Sequence, residues 1–143
     1  MAKANRTETY DVPASKFYQA IIDYKNYNQF VPGVDSIEVL NSSDDGATVK
    51  FNINVIKKLT YTLKLAHKKE QEVSWSLVTG DYMKTNNGKW TLKDLGGNKT
   101  EVTYSLEIEV KGFIPGLSLI EKGLVETNLP MTMSSFAKRA ENL

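Results

Sequence analysis

Few side chains in this sequence could catalyse a reaction or hold a metal. There is one histidine, His67, and no cysteine, which excludes a thiolate nucleophile, a disulfide and a cysteine-bound metal. Strand parity places His67 on the same side as Leu63 and Leu65, but at the strand end beside Lys68-Lys69. Acid–base catalysis would also require a partner within hydrogen-bond reach. We therefore predict a surface histidine at a loop edge, no catalytic residue and no metal site.

The carboxylates do not form a pair suited to acid–base catalysis. Most lie in predicted turns or on the outward side of strands: Asp44, Asp45, Asp81, Asp94, Glu107 and Glu109. Glu121 is the exception, because it falls near the apolar face of the predicted last helix. It would either contact a ligand head group or interact with the helix dipole, and we favour the dipole. The segment Gly112 to Gly116 lacks the Lys-Ser/Thr ending of a nucleotide-binding loop, and we predict no cofactor.

Four aromatic residues are the best indication of a binding site. Tyr61, Trp75, Trp90 and Tyr104 share the inward parity of their strands. Any one of them would ordinarily fill a core. Four aromatic residues on one curved face favour a pocket lining, because two of them carry phenol hydroxyls that need hydrogen-bond partners. Tyr61 and Tyr104 are the candidates for polar contacts inside that pocket.

Seven strands are predicted to position these aromatics. Apolar residues alternate from Asp35 to Lys111, and short turns separate the runs, which favours an antiparallel sheet. An earlier strand is predicted over Lys3 to Val12, and a short one over Ser36 to Leu40. Asn87-Gly88 is interpreted either as a hairpin turn or as a bulge inside a strand, and we favour the bulge.

Helical segments flank the strands. Pro13 suits the first position of a helix, and a second short helix is predicted over Tyr27 to Phe30. The last quarter, Gly116 to Leu143, is predicted to form one helix. Its apolar face changes midway, from one set of residues to another: Leu117, Ile120 and Leu124, then Leu129, Met133, Phe136 and Ala140.

Pro130 lies near this change and predicts a kink or a broken hydrogen bond. When the first apolar face is prolonged past Leu124, it meets four further residues: Thr127, Asn128, Met131 and Ser135. A helix packed only on a dry core rarely places Thr and Asn there. These two residues either line a cavity or lie at its rim, and the pattern leaves both interpretations open.

Composition limits the partners. The 143 residues fit one domain, 1–143, and 18 Lys+Arg against 17 Asp+Glu give a net charge of +1. We expect no nucleic-acid partner by direct readout. Met1 to Thr9 lacks a signal-peptide core and no run is long enough to span a bilayer, so we expect a cytoplasmic location. The pairs Lys57-Lys58 and Lys68-Lys69 would support only a transient contact with an anionic membrane. Composition does not indicate an oligomeric state.

The predicted order is a strand, two short helices, a six-stranded meander and a long helix. This order resembles the helix-grip fold of the START-related (SRPBCC) superfamily. The segment from Asp11-Val12-Pro13 through Asp23-Tyr24 and Tyr27 to Phe30-Val31-Pro32-Gly33-Val34 is similar to the coenzyme Q-binding and ribosome-association-toxin branch. Other positions fit the same general pattern: Gly80, Trp90, Val102, Tyr104 and the tail from Phe136 to Ala140.

The resemblance covers Tyr10 to Leu143 and departs at Gly80-Asp81-Tyr82, where quinone-binding members tend to carry Gly-Pro-Phe. It implies an α+β fold in which a curved antiparallel sheet of seven strands wraps around the C-terminal helix. It also implies a cavity between sheet and helix for a hydrophobic small molecule such as a lipid, a quinone or a polyketide-like compound.

We expect the inner face of the sheet and the C-terminal helix to supply the ligand contacts. The predicted ligand-binding residues are Phe51, Ile53, Tyr61, Leu63, Trp75, Leu77, Trp90, Tyr104, Leu106, Leu117, Ile120, Leu124, Thr127, Asn128 and Met131. Binding, with delivery of the ligand, is the favoured function. The alternatives are an enzyme of the polyketide cyclase or aromatase type, and a module that interacts with ribosomes or other proteins.

Overall fold

The computed structural model describes residues 2–54, 58–110, 122 and 128–143. Seven strands and three α-helices follow one another along these residues. Their bounds are β1 (Ala2–Tyr10), α1 (Ala14–Ile22), α2 (Tyr27–Phe30), β2 (Val34–Ser43), β3 (Gly46–Asn54), β4 (Lys58–Lys68), β5 (Glu72–Gly80), β6 (Met83–Gly96), β7 (Lys99–Val110) and α3 (Asn128–Glu141). A 3₁₀ turn, Tyr24–Asn26, separates α1 from α2. This order confirms the predicted strand, short helices, meander and C-terminal helix.

The strands form one antiparallel sheet in the order β1-β7-β6-β5-β4-β3-β2. The five hairpins from β2 to β7 join neighbouring strands, and β1 returns to pair with β7, from Ala2 opposite Ile108 to Tyr10 opposite Thr100. Several turns use a backbone with positive φ, at Glu70, Tyr82 and Asn98. Because the meander is continuous, every inward side chain of β3 to β7 faces the same side of the molecule.

The core lies between this inner face and the helices. In β3, burial alternates from residue to residue, so that Val49, Phe51 and Ile53 are buried while their neighbours are not. Helix α1 packs against α3, and both contribute fully buried side chains, Phe17 from α1 and Met133 from α3. Burial of this apolar surface is the main force that holds the helices on the sheet.

The junction between β1 and α1 differs from the prediction. Pro13 is the residue before the helix, with extended backbone (φ −60°, ψ 144°), and its carbonyl accepts the backbone N–H groups of Lys16 and Phe17. The preceding carbonyl, of Val12, accepts a hydrogen bond from the buried Thr100 hydroxyl at 2.7 Å. A side chain of β7 therefore satisfies a backbone group that the chain reversal removes from the sheet.

Asn87-Gly88 is neither a turn nor a bulge, so the prediction for these residues was wrong. Both pair regularly with β7, Asn87 opposite Glu107 and Gly88 opposite Leu106. The register shifts of β6 lie elsewhere, between Met83 and Thr85 and between Asp94 and Gly96. Gly88 has another role: a Cβ added there would lie 2.1 Å from Cζ2 of Trp75. The glycine leaves room for an indole ring.

The edge strand β2 is longer than predicted. It runs from Val34 to Ser43, with register shifts near Asp35 and Leu40 against β3. Nearly all of its residues are exposed, so the inward–outward alternation that marks the other strands is weak there. This is why hydrophobic periodicity found only its central part.

The described part of the C-terminal helix confirms one predicted face. The four predicted residues of α3, Leu129, Met133, Phe136 and Ala140, are all buried, and so is Ala137 beside them. Pro130 lies within the first turn of this segment. The predicted face of Leu117, Ile120 and Leu124 lies outside the described residues, as does Thr127. Among the helices that the structure describes, none is long and apolar enough to cross a membrane.

Candidate functional site

A cavity of about 130 Å³ lies between the inner sheet face, the α2–β2 connection and α3. Most of its described lining is apolar. The lining residues are Ile21, Tyr27, Val31, Pro32, Val34, Phe51, Ile53, Tyr61, Leu63, Leu65, Trp75, Asn86, Trp90, Tyr104, Leu106, Ile108, Leu129, Thr132 and Phe136. The alternating inward residues of β3, β4, β6 and β7 supply about half of the described wall. The helices, the α2–β2 connection, Val34 of β2 and Trp75 of β5 supply the rest.

The size of the cavity limits what fits inside it. An engineered apolar cavity of about 150 Å³ in another protein binds benzene or xenon. The space of about 130 Å³ here therefore suits one ring-sized group. A larger ligand must extend past the cavity or displace some of its lining.

Aromatic rings pack closely around this space. Trp90 is the centre of the cluster: its ring centroid lies 4.4 Å from that of Tyr104, 4.9 Å from that of Phe136 and 5.6 Å from that of Phe17. The Phe136 ring also meets that of Tyr27 edge to face at 5.2 Å. Edge-to-face and tilted packing of this kind is favourable and fixes the rings, so the wall is largely preformed.

Two tyrosine hydroxyls lie in the wall, as the sequence predicted. Burial raises the pKa of both Tyr61 and Tyr104, and the nearby Tyr61 raises that of Tyr104 further. Both phenols are therefore neutral at physiological pH and can donate or accept hydrogen bonds. A third phenol of the lining, Tyr27, donates its hydroxyl proton to the Ile21 carbonyl.

Asn86 is the polar residue that sequence reasoning missed. Its side chain is only 4% exposed and accepts a hydrogen bond from Trp75 Nε1 at 3.1 Å. Its amide nitrogen lies 3.8 Å from Met83 Sδ. A usable signal existed, because Asn86 shares the parity of Trp90 in β6. It was overlooked because the start of that strand was not recognised.

The structure brings most of the predicted ligand-binding residues to one place. Eight line the cavity: Phe51, Ile53, Tyr61, Leu63, Trp75, Trp90, Tyr104 and Leu106. Leu77 is partly buried against the core but is not among the described lining residues. Met131 lies on the opposite side of α3 from Met133 and is 52% exposed.

The other predicted contacts fall on residues that are not described. Leu117, Ile120, Leu124 and Thr127 lie outside the described residues, and for Asn128 only the helical backbone is described. On α3, the described lining consists of Leu129, Thr132 and Phe136, which the sequence analysis did not include among the ligand contacts.

His67 differs from the prediction of a surface histidine. Its Nε2 atom lies 2.7 Å from the Tyr24 hydroxyl, and its ring stacks on that of Tyr24 with centroids 5.9 Å apart. Burial lowers its pKa, while the backbone of Asp44 and the charge of Asp45 act in the opposite direction. His67 is inward, as its parity indicated, but helical residues cover it, which a strand pattern cannot predict. It is not among the described cavity-lining residues.

The charged side chains that the structure describes lie outside the cavity. Arg139 of α3 pairs with Asp23 at 3.1 Å and packs over the Phe30 ring, with 5.3 Å from its guanidinium carbon to the ring centroid. Asn26 holds the same carboxylate at 2.8 Å. Within the described ranges, no group of three or more His, Asp or Glu side chains is arranged to hold a metal ion.

Sequence comparison identifies related proteins. The family described as polyketide cyclase / dehydrase and lipid transport matches residues 10–132 of the chain. The persistence and stress-resistance toxin PasT of Escherichia coli O6:H1 is 27% identical over 111 residues, which are 76% of this chain and 69% of that protein. The ribosome association toxin RatA of Escherichia coli K12 is 26% identical over 111 residues, with the same coverage.

Structure comparison confirms the helix-grip fold. The Zhui aromatase/cyclase from Streptomyces sp. R1128 superposes with a TM-score of 0.87 at 15% identity, over 99% of this chain and 94% of that one. A START superfamily protein from Mycobacterium smegmatis superposes with a TM-score of 0.83 at 20% identity, over 98% of this chain and 97% of that one. At these identities the likeness concerns the fold alone.

Proposed function

Because this chain belongs to the polyketide cyclase / dehydrase and lipid transport family, we propose that it binds a hydrophobic small molecule. The binding unit is the single domain over residues 1–143, and the setting is the cytoplasm. The observation that carries the proposal is the cavity between sheet and helices, whose described wall is apolar and aromatic apart from a few hydroxyl and amide groups. A cavity of this kind supplies both affinity and orientation.

The energetics favour a ligand larger than one ring. Burial of about 100 Å² of apolar ligand surface gains about 2.5 kcal/mol. Association itself costs at least about 4 kcal/mol. A ring alone therefore binds weakly, and a physiological ligand gains affinity from a further apolar part. We place the entrance at the half-buried connection Val31 to Val34, which lines the cavity and reaches solvent.

Sequestration and delivery is the mechanism that these features support. The ligand enters when the α2–β2 connection and the C-terminal helix part, and apolar surface then closes over it. Brief contact with a membrane would give access to lipid ligands. Affinity comes mainly from burial, and the polar groups of the wall set the orientation.

Binding is better supported than catalysis. The described lining contains no His, Lys, Arg, Asp or Glu. Burial raises the pKa of Tyr61 and Tyr104, so both phenols stay protonated near neutral pH. In that form they cannot take a proton from a substrate as a general base. They are suited to hydrogen bonding with a ligand. A cyclase activity would have to depend on the shape of the cavity and on these hydroxyls.

A role in ribosome or protein binding is the second candidate. Its support is the similarity to RatA, whose name states ribosome association. This candidate predicts that the purified protein cosediments with ribosomes, and that substitution of exposed lysines abolishes cosedimentation while cavity substitutions do not.

Native mass spectrometry of protein purified without detergent tests the main proposal. We expect a copurifying apolar compound, or uptake of one from a mixture of lipids and quinones. Leu106→Trp, which fills part of the cavity, should reduce uptake, whereas Val78→Trp at a position that is 58% exposed should not. The proposal would be overturned if the measured mass were that of the ligand-free protein in every sample while circular dichroism showed that the protein was folded.

A further inference from the structure

The ring of Phe30 covers part of the cavity wall from outside. Phe30 is the last residue of α2 and is half-buried. Its ring meets that of Phe136 edge to face, with centroids 5.2 Å apart, and that of Tyr27 at 5.6 Å. Phe136 and Tyr27 line the cavity, whereas Phe30 is not among the described lining residues. Phe30 therefore forms an outer layer over this part of the wall, directly before the connection where we place the entrance.

The segment that carries this ring is anchored at both ends. Before it, Tyr27 is buried and its hydroxyl donates to the Ile21 carbonyl. After it, the Gly33 carbonyl accepts the backbone N–H of Asn54, the last residue of β3, at 2.7 Å. Residues 28–32 lie between these two anchors. Rotation about a few backbone bonds of this segment can therefore swing the ring away from the wall while the anchors stay in place.

Arg139 of α3 holds the ring against the wall. Its guanidinium carbon lies 5.3 Å from the Phe30 ring centroid, which is a favourable cation–π distance. Its Nη2 atom also donates to Asp23 Oδ2 at 3.1 Å. The side chains of Arg139 and Asp23 are only 28% and 21% exposed, so water screens this pair less than an ion pair at the open surface. Arg139 therefore links α3 both to α2 and to the residue that ends α1.

Asp23 is itself fixed, so it can orient the guanidinium group. It ends α1, and its backbone N–H donates to the Ala20 carbonyl. Asn26 Nδ2 reaches both carboxylate oxygens of Asp23, at 2.8 and 3.0 Å. Hydrogen bonds to a charged group are strong, and a carboxylate held from two sides has little freedom to turn. The contact between Arg139 and Phe30 therefore depends on Asp23.

The hold of Arg139 is incomplete, which permits release. Its Nε atom is buried and has no hydrogen-bond partner among the described residues. A buried donor without a partner costs free energy and offsets part of what the ion pair gains. Outward movement of the ring and the guanidinium group would expose Nε to water and remove this cost.

Given the proposed binding function, we propose that Phe30 is a movable cover at the cavity entrance and that Arg139, positioned by Asp23, holds this cover closed. A ring-sized ligand passes while the cover is open, and the cover closes over the filled and the empty cavity alike. Loss of the Arg139 contact raises the open fraction of both forms. Association and dissociation then become faster by the same factor, while the dissociation constant stays nearly unchanged.

Exchange of fluorobenzene, followed by ¹⁹F saturation transfer on the full chain, tests this role. The measurement gives the bound fraction and the dissociation rate together, so it does not require saturation. Arg139→Met keeps the apolar stem and removes the charge. It should raise the dissociation rate by about three- to tenfold and change the bound fraction by less than about twofold. Arg6→Met is the matched control and should change neither, because the other arginine of the chain pairs with Glu8 at an exposed position of β1.

Amide hydrogen exchange reports the movement of the cover directly. The Val31 N–H donates to the Tyr27 carbonyl at 2.8 Å and closes the end of α2. Arg139→Met should accelerate exchange of this amide by about the same factor as fluorobenzene dissociation, because both follow the open fraction. Thr100→Val removes a buried bond to the Val12 carbonyl and controls for lower stability alone. It should leave both rates unchanged.

Two further variants test the order of the contacts. Phe30→Leu removes the ring and should itself accelerate fluorobenzene exchange. In that background, Arg139→Met should add less than about twofold, because Arg139 acts through the ring. Asp23→Asn keeps the shape of the side chain and removes its charge. It should accelerate exchange when Arg139 is present and have no further effect in Arg139→Met.

The outcomes separate this inference from the proposed function. If fluorobenzene binds but dissociates from Arg139→Met at the unmodified rate, or if Arg6→Met or Thr100→Val accelerates it equally, the role of Arg139 is wrong while the binding function stands. A lower bound fraction with an unchanged association rate would assign Arg139 to affinity and also overturn the cover. If the unmodified protein shows no bound fluorobenzene, the binding function fails and the cover fails with it.

Discussion

The indole ring of Trp75 occupies the space that a side chain on Gly88 would fill. The two residues lie opposite each other in β5 and β6, and a Cβ on Gly88 would lie 2.1 Å from Trp75 Cζ2 and 2.6 Å from the Ser105 carbonyl oxygen. Neither the sheet backbone nor a ring fixed by its bond to Asn86 can move away without cost.

Gly88→Ala should therefore destabilise the protein. Forcing an extra methyl group into a packed site typically costs about 1–3 kcal/mol. Displacement of Trp75 should also change the tryptophan fluorescence, because the two tryptophans of the chain both line the cavity. Urea denaturation followed by fluorescence measures both effects. The neighbouring Asn87→Ala, at an exposed position, is the control and should be close to neutral. Equal stability of the two variants would contradict this account of Gly88.

Thr100→Val should remove the bond that anchors the start of α1. It keeps the shape of the side chain but leaves the Val12 carbonyl without its hydroxyl donor in a fully buried site. An unsatisfied buried polar group costs about 1–3 kcal/mol. Thr103→Val is the matched control on the same strand, because the Thr103 hydroxyl bonds to Thr7 at an exposed position. Chemical denaturation should give a clearly larger loss for Thr100→Val, and similar losses would count against the anchoring role.

Two methionines two residues apart test the orientation of α3. Met133 is fully buried, so Met133→Ala should cost about 2–5 kcal/mol. Met131 is half-exposed, so Met131→Ala should change stability by less than about 0.5 kcal/mol. Thermal or chemical denaturation distinguishes the two. A large loss for Met131→Ala would indicate that α3 presents the other face to the core, as the sequence analysis supposed for this residue.

His67 should make stability fall on acidification. Burial lowers its pKa in the folded state below the ordinary value of 6.5. On going from about pH 7.5 to about pH 5.5, the unfolded chain takes up a proton first, so unfolding becomes more favourable across that window. Below the pKa that His67 has in the folded state, His67 is protonated in both states, and its contribution to the free energy of unfolding no longer changes with pH.

Urea denaturation at both pH values measures this loss, and His67→Gln should reduce it. Since His67 is the only histidine, its ring proton resonance also reports the folded pKa directly. A titration midpoint above 6.5 would reverse the sign of the prediction and contradict the burial of the ring.

The sequence predicted the fold well because its strands are half-buried. Alternation at Val49, Phe51 and Ile53 identifies both the strand and its inward face, and hence the cavity wall. The edge strand β2 was underestimated because exposure removes this signal. Gly88 was misinterpreted because the need for glycine arises from a ring on the neighbouring strand, which no local pattern contains.

The polar part of the site was less predictable. Tyr61 and Tyr104 were found by parity, whereas the role of Asn86 depends on the contact with Trp75 across two strands. Likewise, a strand pattern placed His67 at a loop edge, but the cover provided by Tyr24 comes from a distant segment. The role of a side chain that depends on tertiary contacts can be identified only from the structure.

The most direct test of the binding account is a methyl NMR titration of the unmodified protein with benzene, whose ring matches the cavity of about 130 Å³. We predict shifts confined to lining methyl groups, such as those of Leu63, Leu65 and Leu106, with those of the exposed Leu40 and Val78 unchanged. Because one ring alone binds weakly, the shifts need not saturate. The absence of shifts at the lining methyls up to the solubility limit of benzene, or equal shifts at exposed and lining methyls, would contradict the account.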